Sequence, residues 1–315
     1  MEILKMKFGG YQGPDSIHTA AARLFGLELL DQKDLSLGFD LEESILARGL
    51  NSGELPNMVA SGELDLCYMS TVRFSDPVPE LAVFELPFLI KDRASLFDAF
   101  EGALGSYFTA RIEEATPFKV LGYWDNGFRN ISNSVRPIRT PADCQGIAIR
   151  TQMSALHGEV FRAFGFEPMP IDIKSFLETI ETDRVQAQDN PLTSIYIFDI
   201  HKHHHHITLS GHFFGVSLFI CNREKFKSWP TEVRESVIQA AGKATALQRK
   251  LASEQDELVL SKFKAEGNEV VALTCDERRA FEKAVAPLVE SYRKKFGAEL
   301  FALLENSPFR LPKCG

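Results

Sequence analysis

Arg129 and Arg150 are the side chains best suited to binding chemistry, because each follows a short apolar or aromatic stretch that reads as a strand or strand end. A guanidinium in such a place offers a rigid fork that matches a carboxylate in a bidentate pair. The same placement suits a structural ion pair, so spacing alone leaves both roles open. Gln12, Ser70 and Asn126 carry groups suited to ligand hydroxyls. His18 lies in the first turn of a helix opened by Ser16, where it faces a cleft mouth as a donor or sits on the surface of a helix end. Trp124, Tyr11, Phe213 and Phe214 offer aromatic surface for a flat acid or the apolar face of a sugar acid, or else belong to the core.

Catalytic signatures are missing from the sequence. There is no GxSxG elbow, GxGxxG fingerprint, GxxxxGK[ST] loop or HExxH pair. Gly9-Gly10-Tyr11-Gln12-Gly13 has the wrong spacing for pyrophosphate, and reads as a turn or as backbone approaching a small ligand. An enzyme reading survives only as a lyase or isomerase using His18 with Asp125 or Asp189 as acid and base. The run His201-Lys202-His203-His204-His205-His206 suggests metal capture, but adjacent side chains on a strand alternate faces and do not converge on one ion. It is expected to be a solvated segment, and neither a metal nor a cofactor is expected.

The elements that position these residues follow from periodicity. Leu4 to Phe8 and Leu35 to Phe39 read as strands around a helix from Ser16 to Leu30. A helix over Leu55 to Ala60 and a strand over Leu64 to Met69 repeat the unit, which implies a largely parallel sheet. Ligands of such sheets sit beyond the carboxyl ends of strands, which draws attention to Tyr11-Gln12 and Ser70-Thr71. Phe118 to Tyr123 reads as a strand, followed by a first crossing to a second α/β unit. That unit has a strand over Gly146 to Arg150 and helices over Ser154 to Phe164 and Ser175 to Glu181. Asp189-Asn190-Pro191-Leu192 reads as a helix start or break, with Pro191 suited to the first helical position. His212 to Cys221 returns the chain to the first lobe, and Thr231 caps a helical stretch reaching Gly267, about 50 Å long if unbroken and equally compatible with a break near Ser253 to Asp256. Two domains of discontinuous sequence follow: residues 1–123 plus 212–252, and 124–211 plus 253–315.

A net charge of −8 argues against nucleic acid, which needs a basic face. It does not exclude an anionic ligand, because one cation in a poorly solvated cleft outweighs the total. The cysteines at 67, 144, 221, 275 and 314 form no CxxC or zinc spacing, and inert buried thiols are expected, with at most two disulfides. No apolar run approaches the roughly 20 residues of a membrane span. Met1 leads almost directly into a strand, which fits a cytoplasmic chain, a sensor for instance, or one whose leader has been removed.

Gly127-Phe128-Arg129, Pro137 to Asp143, Gly146-Ile147-Ala148-Ile149-Arg150 and Gln188-Asp189-Asn190-Pro191-Leu192 together resemble the second lobe of the solute-binding proteins of tripartite ATP-independent periplasmic (TRAP) transporters. Pro79-Glu80-Leu81 and Leu86-Pro87-Phe88 extend the resemblance, as does the helix after Trp229. It implies an α/β two-lobe clamp, each lobe a mixed sheet flanked by helices, with a long helix bridging the lobes. It implies Arg150 as the partner of a substrate carboxylate, Arg129 as the second arginine of the cleft and Asn190 as a hydrogen-bonding residue. Asp189 stands where the family usually has Glu, and Ala148 replaces a lysine. A periplasmic, monomeric binding protein is expected, delivering a small organic acid to membrane permease subunits, with hydroxylated sugar acids favoured over plain dicarboxylates.

Overall fold

The computed structural model describes residues 3–182 and 184–305. Among these the strands are β1 (Leu4–Gly9), β2 (Leu37–Glu42), β3 (Leu66–Ser70), β4 (Phe118–Asn133), β5 (Ala148–Thr151), β6 (Glu167–Pro170), β7 (Ala187–Pro191), β8 (His206–Asn222) and β9 (Glu269–Ala272). The α-helices are α1 (Ile17–Leu30), α2 (Leu55–Ser61), α3 (Arg93–Phe100), α4 (Ala103–Ala115), α5 (Ala155–Phe164), α6 (Ile173–Leu177), α7 (Leu192–Ile197), α8 (Arg223–Ser228), α9 (Thr231–Ala265), α10 (Cys275–Phe296) and α11 (Ala298–Glu305). Ser16 caps α1 by accepting from the Thr19 amide. Pro191 and Pro230 are N-caps, one position earlier than expected for Pro191 and in place of Thr231. The helix expected from Ser175 starts sooner, at Ile173, because Asp172 caps it.

The strand order is β2-β1-β3-β8-β4-β7-β5-β6, with β9 beside β8. Parallel strands form the two flanks, but β8 is antiparallel to β3 and β4, and β4 to β7. The sheet is therefore mixed rather than largely parallel. Its centre is made by two long strands that each serve both halves. β3 pairs with residues 217–221 of β8, whereas β9 pairs with 206–209. Likewise β7 meets only residues 129–133 of β4.

The change of texture near residue 123 is thus not a strand end. β4 runs straight through it, paired with β8 along its length, and the register slips between Asp125 and Gly127 and again between Arg129 and Ile131. Gly127 takes a φ of 88°, in the left-handed region that costs glycine least, with Pro191 packed against it. An extra residue at each slip bends a strand that would otherwise be stiff.

The helix α9 is continuous over 35 residues, about 50 Å, with no break at 253–256. Val233, Val237, Ala240 and Ala244 pack on one apolar cluster with α1 and β1, while Val259 and Phe263 join a second with α6 and α7. Between them a polar stripe pins the crossing of β4. Thr245 Oγ1 accepts from the Trp124 indole at 3.0 Å. The Gln248 amide accepts from the Asp125 N–H at 2.7 Å and donates to its carbonyl at 2.6 Å. Arg249 Nε donates to the Tyr123 carbonyl at 3.0 Å. Arg93 joins the same point, 2.9 Å from Asp125 and 2.6 Å from Asp256.

The histidine run is solvated only in part: Lys202 and His205 are exposed, but His201 and His204 turn inward. His201 is buried against Tyr196, rings 4.7 Å apart, with Nε2 2.8 Å from Glu266. His204 is buried with Nδ1 3.0 Å from Ser132 Oγ. Asn268 donates to both of their carbonyls, so the run is a folded corner held to the end of α9. Among the described residues, no three His, Cys, Asp or Glu side chains are placed to hold a metal. Cys67, Cys144 and Cys221 are buried free thiols, and Cys314 lies outside the described residues.

Gln248 satisfies both backbone groups of a buried residue, and an unmet buried group costs about 1–3 kcal/mol. Gln248→Ala is expected to lower the unfolding free energy by about 2 kcal/mol in urea denaturation, with an exposed control such as Lys250→Ala near zero.

Candidate functional site

A polar cavity opens where the carboxyl ends of strands from both halves face each other. The first half contributes Gln12 after β1, Ser70 at the end of β3 and Arg73 just beyond it. The second contributes Arg150 of β5 and Asn190 of β7, with Gln152 and Ser194 beside them. Asn126 lines it from the crossing strand. Six of the residues singled out in the sequence, Tyr11, Gln12, Ser70, Asn126, Arg150 and Asn190, thus share one space.

Arg150 is 4% exposed, and its Nε donates to the Ile171 carbonyl at 2.7 Å. That bond fixes the guanidinium plane, and among the described residues its two terminal nitrogens have no hydrogen-bond or ion-pair partner. Burial and then the nearby Arg129 charge pull Arg150 down to about 10, so it remains a cation at neutral pH. Arg129 does not line the cavity. It lies behind it, Nε 2.5 Å from Asp189 Oδ2 and a terminal nitrogen on the Asp189 carbonyl. His212 Nε2 stands 3.4 Å from the same carboxylate, oriented by Ser210 at 2.8 Å. Burial opposes ionisation of Asp189, but the Arg129 charge and the nearby His212 ring outweigh it and hold the carboxyl well below the usual range.

Four residues with a candidate binding role are core instead. His18 does not face a cleft mouth; it is buried with its ring stacked on Tyr68 at 4.7 Å, and burial pushes it down to about 3. Trp124 is fully buried against Phe8, Tyr68 and Phe219. Phe213 stacks on His157 at 4.4 Å, and Phe214 packs edge-on against Phe97. The glycine-rich turn is also occupied: the Tyr11 and Gln12 amides both donate to the Tyr68 hydroxyl at 3.2 Å. Arg73, Gln152 and Ser194 were missed. The rule that pointed to Ser70-Thr71 reaches Arg73 two residues later, and Gln152 is two residues past Arg150.

The model of the bacterial extracellular solute-binding protein family 7 matches residues 50–295. The chain belongs to this family. The 2,3-diketo-L-gulonate-binding periplasmic protein of Escherichia coli K12 is 29% identical over 75% of this chain and 71% of its own length. Among solved structures, the sugar acid binding protein of Advenella mimigardefordensis in complex with galactonate superposes with a TM-score of 0.90 at 27% identity, covering 97% of this chain and 99% of that one. A TRAP periplasmic solute-binding protein from Sulfurospirillum deleyianum with bound succinate gives 0.90 at 25% identity, covering 98% and 100%. The two halves of the sheet are the two lobes of the family's clamp, and the family is one of binding proteins rather than enzymes. The lyase or isomerase reading therefore falls, and its acid and base are elsewhere engaged: His18 in the core, Asp125 with Arg93, Asp189 with Arg129.

Behind Arg129, Glu85 is buried with Oε2 3.0 Å from Ser154 Oγ and 3.3 Å from His157 Nε2. Burial pushes Glu85 up to about 8 and His157 down to about 3, so the pair is neutral at pH 7. The folded state then keeps a Glu85 proton that the unfolded chain releases near 4.5. This contribution is fully present below that value and lost as pH rises towards 8, at up to about 1.4 kcal/mol per unit. Glu85→Gln is expected to flatten that slope, so that thermal unfolding at pH 5 and pH 8 differs less than in the unsubstituted protein.

Proposed function

We propose that the chain captures a small carboxylic acid between its lobes and presents the closed form to the membrane subunits of a TRAP transporter. Lobe I comprises residues 1–123 plus 212–252 and lobe II 124–211 plus 253–315, and the chain acts as a periplasmic monomer. The observation that carries the reading is Arg150, a buried guanidinium aimed into a cavity with its terminal nitrogens uncommitted among the described residues. A carboxylate between the lobes meets that fork and supplies the contacts that favour closure. Asn190 stands beside it, its amide donating to Gln188 at 2.5 Å, which turns the amide oxygen towards incoming donors. Arg129 serves the site indirectly through Asp189 and Asn190. The amide and hydroxyl lining favours hydroxylated acids, as in the relative that holds galactonate.

Among the described residues no helix is long and apolar enough to cross a membrane, in keeping with a binding protein that hands its cargo to separate membrane subunits. Native mass spectrometry of the purified protein identifies a retained acid, and calorimetry then measures it against variants. Arg150→Ala is expected to weaken binding at least about 100-fold, the scale of a broken buried pair, and Arg150→Lys to recover only part of the loss because the fork is gone. Unchanged affinity in Arg150→Ala overturns the assignment.

A further inference from the structure

The second arginine that lines the cavity is already answered from the opposite lobe. Arg73 Nη2 lies 2.7 Å from Asp172 Oδ2, and Ser52 Oγ donates to the same oxygen at 2.9 Å. The other Asp172 oxygen accepts from the Lys174 amide at 3.1 Å, capping α6, so the carboxylate is fixed on both sides. Gly53 lies under the Arg73 guanidinium, where a Cβ would stand 3.1 Å from Cζ, so the lack of a side chain leaves room for the fork. Both side chains are mostly shielded, 24% and 12% exposed.

The charges around the cavity can therefore be counted. Arg73, Arg129 and Arg150 face Asp172 and Asp189, which leaves one uncompensated cation, at Arg150. Glu85, His157 and His212 add no charge near pH 7: burial raises the first and lowers the other two. The rest of the lining is uncharged, with amides and hydroxyls beside the apolar Met69, Val72, Ile173 and Phe198. The Asn126 and Gln152 amide oxygens are buried without a hydrogen-bond partner among the described residues. A ligand hydroxyl, which both donates and accepts, completes an amide in either orientation, whereas an ionised carboxylate only accepts.

We infer that Asp172 is a specificity-determining residue: by neutralising Arg73 it restricts the site to acids with one carboxylate and several hydroxyls, and rejects those with a second carboxylate. The inference rests on the reading of Arg150 as the carboxylate partner. A diacid would place its second charge beside a lobe-to-lobe pair that has none to spare, in a space where screening by water is weak. Succinate in one family member and galactonate in another show that the fold itself does not make this choice.

The test is calorimetry of the full chain with four- to six-carbon aldonates, the aldarates that match each in stereochemistry, and succinate. The best aldonate is expected to bind at least 100-fold tighter than its aldarate and than succinate. Asp172→Asn, which keeps the cap on α6, is expected to shrink that ratio at least tenfold by releasing Arg73. Adding Arg73→Gln to Asp172→Asn is expected to restore the ratio, which a merely structural role for Asp172 would not do. Equal or tighter binding of an aldarate or succinate by the unsubstituted chain overturns the inference, as does a ratio that Asp172→Asn leaves unmoved. If in those cases Arg150→Ala still abolishes binding, the proposed function stands and only the charge argument fails.

Discussion

A guanidinium withdrawn from water has to be met by an anion, because the desolvation of an unpaired cation exceeds what any neutral contact around it returns. Three arginines of this chain are withdrawn in one place, and the architecture around them follows from how each is met. Arg129 is met within its own lobe by Asp189, brought opposite it by the antiparallel pairing of β4 and β7. Arg73 is met across the cleft by Asp172, so that pair forms only when the lobes are together. Arg150 is met by no carboxylate of the chain among the described residues, and it is the group we propose a ligand carboxylate completes. One constraint thus sorts the three into a structural pair, a contact between lobes and a binding group.

The lobes can approach one another only because the strands that join them bend at a defined place. β4 and β8 carry the sheet from one lobe to the other, and two of the three slips in their register fall between Asp125 and Ile131, the third lying between Val120 and Gly122. The Trp124 to Asp125 segment is held against the middle of α9 by Thr245 and Gln248, three residues apart on one face of the helix. The pinned stretch ends just where Gly127 relaxes the backbone. A stiff helix with an apolar cluster at each end and a polar stripe between them localises the bend and keeps both lobes in register with the cavity.

Histidine shows how far burial governs this molecule. His18, His157, His204 and His212 are all buried, and desolvation is the first cause of each downward shift. Their rings serve as flat packing surfaces against Tyr68, Phe213, Phe176 and Phe161.

Much was legible in the sequence because it depends on local pattern. The 3.6-residue spacing from Val233 onward marked α9 without deciding its continuity past Ser253, Ser16 specified the start of α1, and the placement of Gln12 and Ser70 at strand ends pointed to their approach to a cleft. The motifs around Arg150 and Asn190 specified the family. What local pattern does not carry is which side chain lies opposite which. His18 and Trp124 have the residue types of a binding site, yet Tyr68, 50 and 56 positions away, closes over both. Arg73 and Asp172 are 99 residues apart, and only the closed clamp sets them 2.7 Å from each other. Whether an arginine is already neutralised is a property of distance and dielectric, both set by tertiary structure, and on that depends which of the three is left to bind an acid.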